Sequence, residues 1–442
     1  MTQDPQSILS RHAMRPLQIA AVTLCVLLNA LDGFDVLAIS FASPGIASEW
    51  GIDRAALGLV LSMELIGMAL GSVVLGNVAD RVGRRPTVLG CLVIMAGGMG
   101  MATLATSVAG LSAIRFLTGL GIGGMLACTN ALVAEFSNDH HRNLAVAIMA
   151  SGYPMGAIIG GSIATGLLAE GHWRDVFSFG AVVTAIFLPV AWFLLPESIG
   201  FLVQKRGPDA LDRINATLRR LGHEGAAALP PPPEKPVKAS IRQLFAPALA
   251  RSTILLTIAY FFHIMTFYFI LKWIPKIVVD MGHAASQAGN VLVWANVGGL
   301  AGATLLSLLT YRIPVRALVI VAMLASTVLV TLFGLGQDSL TQLALIAGAA
   351  GFCTNAGVVG LYALFAKVFP TAVRAGGTGF VIGIGRGGAA LGPIVAGLLF
   401  NAGFGLALVS TFMAMGSLVG AMALLLLGRQ AHPPAESPLQ AG

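Results

Sequence analysis

Two aspartates, Asp32 and Asp35, stand inside an apolar run that reaches from Leu17 to Ala42. A carboxylate at that depth of a bilayer costs about 2.5 kcal/mol or more on insertion scales, which makes it a functional-site candidate with a partner to be found. Three residues apart on a helix, the two acids share one face. Neighbouring carboxylates oppose each other's ionisation, so at least one of them can load a proton and release it. Glu64, deep in a second apolar run, is either a further proton carrier or the partner of a cation on a neighbouring helix.

Two arginines lie equally deep. Arg115 needs an anion, and Asp32 or Asp35 is the natural candidate, unless the side chain snorkels to the outer surface. Arg386 sits about ten residues into a glycine-lined run, Gly385-Arg386-Gly387-Gly388. A guanidinium there can hold a carboxylate with two parallel hydrogen bonds. The structural alternative is a pair with a carboxylate of another helix. A planar substrate would need apolar and aromatic walls. Phe34, Tyr153, Phe262, Tyr268, Trp294, Tyr362 and Phe380 can supply them, although core packing explains each as well. Asn296 and Asn355 can bond a ring hydroxyl or a carboxylate, or act as interhelical glue. His263 can titrate, or it can be a neutral, hydrogen-bonded core histidine.

These residues must be held by a membrane scaffold. Of 442 residues, 56 % are hydrophobic and only 10 % charged, with 54 glycines and a mean hydropathy of +0.85. Soluble domains carry about 25 % charged residues. The composition predicts an all-α membrane protein. Its first apolar run, about 26 residues, exceeds the roughly 7–15 residues of a signal-peptide core, so the first helix is expected to stay. Cys25, Cys91, Cys128 and Cys353 fall in apolar runs at unrelated spacings, which supports neither a metal site nor a disulfide framework.

A span needs about 20 apolar residues. Twelve segments qualify: 17–43, 55–78, 87–107, 110–134, 144–168, 175–195, 251–279, 286–309, 317–335, 339–366, 376–401 and 404–427. The expected plan is a tail (1–16), a six-helix bundle (17–195), a linker (196–250), a second six-helix bundle (251–427) and a tail (428–442). The linker holds a mixed-charge helical stretch at 208–221 and a stiff polyproline-type run at 229–236. Ser43-Pro44 predicts the end of the first helix.

Basic residues set the orientation. With the N-terminus inside, 20 of the 26 Lys and Arg fall in inner segments. Both termini are therefore expected in the cytoplasm. The net charge of +7 is topogenic, not a nucleic-acid surface. The halves also echo each other. Glu135 and Arg142 are matched by Lys367 and Arg374, at the same separation, and Gly156 and Gly160 then fall on Gly388 and Gly392. These charges sit at the inner ends of spans 4 and 10.

The loop Gly76-Asn-Val-Ala-Asp80-Arg81-Val-Gly83-Arg84-Arg85 joins spans 2 and 3. Gly83 permits a tight turn, while Asp80 can cap the next helix and pair with an arginine. Such a loop can lock two helices and release them. The pattern resembles the G-x-x-x-D-R-x-G-R-R signature of the major facilitator superfamily. Its second-half copy is degenerate, with Tyr311 in place of the acid and Pro314 in the turn. Span 4, Arg115-x-x-x-Gly119-x-Gly121-x-Gly123, is similar to that superfamily's span-4 pattern, and Leu195-Pro196-Glu197-Ser198 to its span-6 exit. Span 5 has Gly156-Ala157 where its drug exporters carry Gly-Pro, which lowers an export reading.

Within the superfamily, Asp32-Gly33-Phe34-Asp35 looks like the first-span segment of the aromatic acid:proton symporters. Asn130…Glu135-Phe136, Phe269…Pro275 and Gly385-Arg386…Pro393 agree with it. Lys272 is a departure, standing where a neutral polar residue such as Asn is expected. The resemblance implies twelve transmembrane helices in two bundles and import of an aromatic carboxylate with protons by alternating access. It implies a multi-pass protein of the bacterial inner membrane, monomeric, needing no cofactor beyond protons and no metal. Same-class rivals are a symporter of muconate, a dicarboxylate or a keto acid, and an exporter. The different-class alternative is a membrane sensor, which would need a signalling domain, and none is visible beyond the linker at 196–250. The glycine strings at 119–124 and 383–388 lie within helices, not after strands, so they are not dinucleotide sites, and no hydrolase triad is visible. An enzyme is not expected.

Overall fold

In a bilayer every backbone polar group must be satisfied inside its own segment, and helices do this. The computed structural model describes residues 5–207, 209–230, 241–247, 249–337, 339–370 and 373–427. Among them are sixteen helices and no strand. A short amphipathic α1 (Pro5–Arg11) precedes six long helices: α2 (Pro16–Trp50), α3 (Arg54–Val82), α4 (Arg84–Ala102), α5 (Val108–Phe136), α6 (Arg142–Glu170) and α7 (Trp173–Leu194). The linker contributes α8 (Ile199–Lys205), α9 (Ala210–Arg220) and α10 (Ile241–Leu244). Six further long helices follow: α11 (Ala250–Asp280), α12 (Ala285–Leu309), α13 (Val315–Gly334), α14 (Leu340–Val368), α15 (Arg374–Asn401) and α16 (Leu406–Leu426). All twelve long helices are apolar and long enough to cross a membrane. The polyproline run lies outside the described residues except for its first two, and the C-terminal tail lies outside them entirely.

The first span does not stop at Ser43-Pro44. α2 runs on to Trp50 and is closed by Gly51 in the left-handed conformation, φ 59°. Pro44 has no N–H to give the Ser40 carbonyl, and the Ser43 hydroxyl donates to that oxygen instead, at 2.8 Å. Such side-chain rescue is how membrane helices absorb proline.

Small residues let the helices approach closely, and they do so at a constant offset between the halves. The Gly156 and Gly388 Cα positions abut the carbonyls of Ala30 and Phe261, so a Cβ would meet them at 1.7 and 2.2 Å. Gly67 and Gly298 do the same to Phe116 and Gly348. Each partner of a pair lies 231 or 232 residues after its counterpart. Thus α6 packs on α2 as α15 packs on α11, and α5 on α3 as α14 on α12.

Between the halves, α3 meets α15, α6 meets α12 and α2 meets α11. These contacts begin at the end opposite the linker. Arg54 pairs there with Asp280 at 2.9 Å, and the Trp273 indole donates to the Pro393 carbonyl at 3.2 Å. They reach inward to Met68 and Arg386. At the linker end, a cavity of about 330 Å³ opens along α3 and α5, lined by Ser72, Gly76, Asn77 and Asp80 among others.

Candidate functional site

The close packing of α3 on α5 presents Glu64 to Arg115. A Cβ at Gly119 would lie 2.1 Å from the Glu64 carbonyl oxygen. Both side chains are fully buried and form an ion pair. The expected pairing of Arg115 with Asp32 or Asp35 is therefore corrected, and so is its snorkelling alternative. Arg115 reaches Asp35 only at the backbone, donating to its carbonyl at 2.8 Å. Met99 sulfur at 3.1 Å and the Phe177 ring at 5.4 Å complete its surroundings. Glu64 wins because the α3–α5 glycine seam brings its carboxylate to the guanidinium, a contact that sequence separation hides.

Lys272 is the second cation of this cluster. It is fully buried, its ammonium lies 3.4 Å from the other Glu64 carboxylate oxygen, and it donates to the Val36 carbonyl. α11 belongs to the second half, so Lys272 crosses the interface to enter the charge network of the first. The departure from Asn thus has a structural counterpart.

Asp32 and Asp35 are also fully buried. None of their four carboxylate oxygens has a hydrogen-bond partner. Buried polar groups are partnered in the great majority of cases, so two adjacent orphan carboxyls are an exception that packing alone does not explain. Gly33 between them has a plain packing role, since the Tyr153 backbone of α6 crosses directly over it.

Arg386 is half-buried, and its Nη1 donates to the Met68 carbonyl of α3 at 3.0 Å. No carboxylate pairs with it among the described residues, so the structural-pair alternative does not hold. Tyrosines gather beside it. Tyr268 and Tyr260 of α11 lie within its electrostatic reach, Tyr260 shares a 2.9 Å hydrogen bond with Tyr362, and the buried Tyr153 hydroxyl faces Tyr268. Tyr260 escaped the sequence reading because nothing in the local pattern sets it apart from other aromatics of its span.

Several expected wall residues are elsewhere. Phe34 is 3 % exposed and packs within the first half, edge-on to Phe179 at 5.4 Å. Trp294 is 52 % exposed on α12. Asn296 bonds the Leu292 carbonyl of its own helix, and Asn355 the Gly299 carbonyl of α12, so both serve the helices. His263 is satisfied on both nitrogens, by Ser417 and by the Thr354 carbonyl, each at 2.9 Å.

The loop between α3 and α4 is clasped in a way the sequence did not suggest. Gly83 adopts φ 120°, a conformation that favours glycine. Asp80 does not cap α4; it is exposed and makes no ion pair among the described residues. Glu197 does the capping, accepting from the backbone N–H of Arg84 at 2.9 Å and of Arg85 at 3.2 Å. An anion suits a helix N-terminus. Glu135 pairs with Arg84 and accepts from Ser198, whereas Arg142 pairs with Asp139 at 3.0 Å. Lys205 holds the Arg81 carbonyl at 3.3 Å, and Arg85 the Trp192 carbonyl at 2.7 Å. In the degenerate second-half copy, Arg316 instead binds the carbonyls of Leu424 and Leu425 at the end of α16.

Residues 25–282 and 256–442 match the family model described as Major Facilitator Superfamily. A gallate transporter of Pseudomonas putida is 32 % identical, covering 94 % of each chain. A 4-hydroxybenzoate transporter of Pseudomonas aeruginosa is 30 % identical over 98 % of this chain and 97 % of its own. Among solved structures, a D-xylose-proton symporter superposes with a TM-score of 0.71 over 93 % of this chain and 97 % of its own, at 16 % identity, a likeness of fold.

Proposed function

This chain belongs to the Major Facilitator Superfamily, and from that premise we propose that it imports a small aromatic carboxylate together with protons. The relatives named for gallate and 4-hydroxybenzoate, matched end to end, support the substrate class. The observation that carries the reading is the site between the halves. Arg386 is half-buried and has no carboxylate partner among the described residues, with Tyr260 and Tyr268 within its reach, Tyr362 bonded to Tyr260 and Tyr153 facing Tyr268. A guanidinium there binds the acid group, and tyrosine faces and hydroxyls suit a hydroxylated ring.

The working unit is a single chain in the bacterial inner membrane with both termini in the cytoplasm. Residues 17–195 and 251–427 form two bundles that rock about the central site. In that orientation the Arg54–Asp280 pair and the Trp273–Pro393 bond close the outer side, and the linker end opens to the cytoplasm. Asp32 and Asp35 carry the coupling proton. Glu64, with its two cations, serves as their fixed electrostatic neighbour, and the α3–α4 loop clasped by Glu197 and Glu135 is the inner gate.

Purified protein in liposomes should accumulate radiolabelled gallate or 4-hydroxybenzoate when the outside is acidified, and dissipating the gradient should abolish accumulation. A panel containing benzoate, muconate and xylose should favour the aromatic acids. Preference for muconate would move the substrate class to non-aromatic acids, and accumulation indifferent to the gradient would sink symport.

A further inference from the structure

We propose that Lys272 and a proton compete for one buried carboxylate cluster. Entry of Lys272 expels a proton from Asp32 or Asp35, and its withdrawal draws one in. This rests on reading the chain as a proton-coupled carrier and supplies the element that ties proton binding to the rocking of the halves.

Buried charge in the cluster has to balance. Around one point lie the acids Asp32, Asp35 and Glu64 and the cations Arg115 and Lys272, all fully buried. Uncompensated charge at such a depth is strongly disfavoured. Two cations among three acids are neutral when the acids together hold one proton. Four of the five groups sit on α2, α3 and α5 of the first half. Lys272 alone comes from the second half, on α11, and both of its contacts, to Glu64 and to the Val36 carbonyl, cross the interface. When the halves part at that end, Lys272 leaves with α11. Arg115 then faces three acids alone, and neutrality requires two protons.

The other groups facing the cluster do not supply the missing charge. α4 brings the Met99 sulfur and Cys91, α7 the Phe177 ring, α6 Tyr153 and α11 Tyr268. Thiols and phenols are ordinarily neutral near pH 7. Arg386 of α15 is turned to the Met68 carbonyl and is the cation left for the substrate. The step is a simple exchange. As the ammonium enters, a carboxyl O–H of Asp32 or Asp35 gives its proton to water, and the carboxylate left behind balances Lys272. Closing the outer side thus releases one proton per cycle.

The test uses full-length protein and Lys272→Gln, with Lys272→Arg retaining the charge. In liposomes, wild type should accumulate 4-hydroxybenzoate about tenfold per pH unit of gradient, one proton per anion. Lys272→Gln should still exchange label across the membrane but bring it only to equal concentrations, and Lys272→Arg should accumulate. Gradient-driven accumulation by Lys272→Gln at the wild-type ratio overturns the proposal, as does a Lys272→Arg that exchanges but does not accumulate. Absence of exchange by wild type would sink the carrier reading itself. A second readout needs no transport. Carbodiimide modifies protonated carboxyls, so labelling of Asp32 and Asp35, read by peptide mass spectrometry, should persist to higher pH in Lys272→Gln than in wild type or Lys272→Arg. Identical labelling profiles overturn the proposal.

Discussion

Replacing the two aspartates singly and together separates a charge-counted site from an ordinary pair of buried acids. Under the proposed charge count, Arg115 and Lys272 are balanced by Glu64, which both contact, and by one negative charge held between Asp32 and Asp35. Asp32→Asn leaves Asp35 to carry that charge, and Asp35→Asn leaves it to Asp32. Neither carboxyl makes a side-chain hydrogen bond, so each single change removes no partnered group and should cost under about 1 kcal/mol, no more than a typical point substitution. The double variant leaves one buried cation uncompensated. Removing the partner of a buried charge costs about 3–5 kcal/mol, so the pair should show a coupling of at least about 1 kcal/mol, beyond the additivity expected of independent sites. The measurement is thermal survival of detergent-solubilised protein, scored by the monodisperse fraction after heating, alongside uptake in liposomes. Both single variants should survive heating nearly as wild type does and keep concentrative uptake, because the remaining aspartate still gains one proton when Lys272 withdraws; the double variant should lose it. If the double variant is no less stable than the sum of the singles, the charge count is wrong. A single variant as unstable as the double would make the aspartates structural counterions.

Arg386→Lys should raise the KM for an aromatic acid about 10- to 100-fold, because one of two charge-assisted bonds, each worth about 1.5–3 kcal/mol, is lost; an unchanged KM would return Arg386 to a structural role. Glu197→Gln should weaken the α4 cap by about 1 kcal/mol, seen as faster amide exchange at Arg84 and Arg85, and exchange unchanged there would leave the clasp to Glu135 alone. In the linker, burial, then Arg15 and His12, hold His223 below its ordinary 6.5, where it bonds Gln18 at 2.7 Å. The undocked linker therefore binds more protons as pH falls, and docking is complete above about 6.5 and weakens below it. Exchange of α9 amides, corrected for intrinsic rates, should rise on acidification, and it should lose that pH dependence in His223→Gln.

The twelve spans, the linker helix and the repeat were legible because each rests on local pattern: apolar run length, charge placement and glycine spacing. The chemistry-bearing residues were legible as types, since Asp32, Asp35, Glu64, Arg115 and Arg386 are all costly in a bilayer. Their pairing was not. Which acid meets Arg115 depends on how deeply Gly67 and Gly119 let α3 sink against α5, and sequence spacing carries no record of that depth. Pro44 misled for a similar reason, because the Ser43 hydroxyl repairs the bond that proline breaks. Glu197 was passed over because a cap offered by a distant segment has no local signature, whereas Asp80, adjacent to the turn, has one and does not use it.

The register of about 231 residues also explains why the site is lopsided. It sets Asp32 against His263, Asp35 against Thr266 and Glu64 against Ala295. In the second half, therefore, the counterpart of the proposed proton site is an imidazole bonded on both sides, by Ser417 and Thr354. A saturated imidazole has no free valence with which to follow a moving charge. What the second half retains is positive charge aimed across the interface, Lys272 to Glu64 and Val36, and Arg386 to Met68. Under the proposed function, protons belong to one half and the anion to the other, and the cross-interface bonds are where the two must meet. Coupling in such a carrier would then be lost most readily by changing Lys272 or Arg386, not by changing any residue that contacts only its own half.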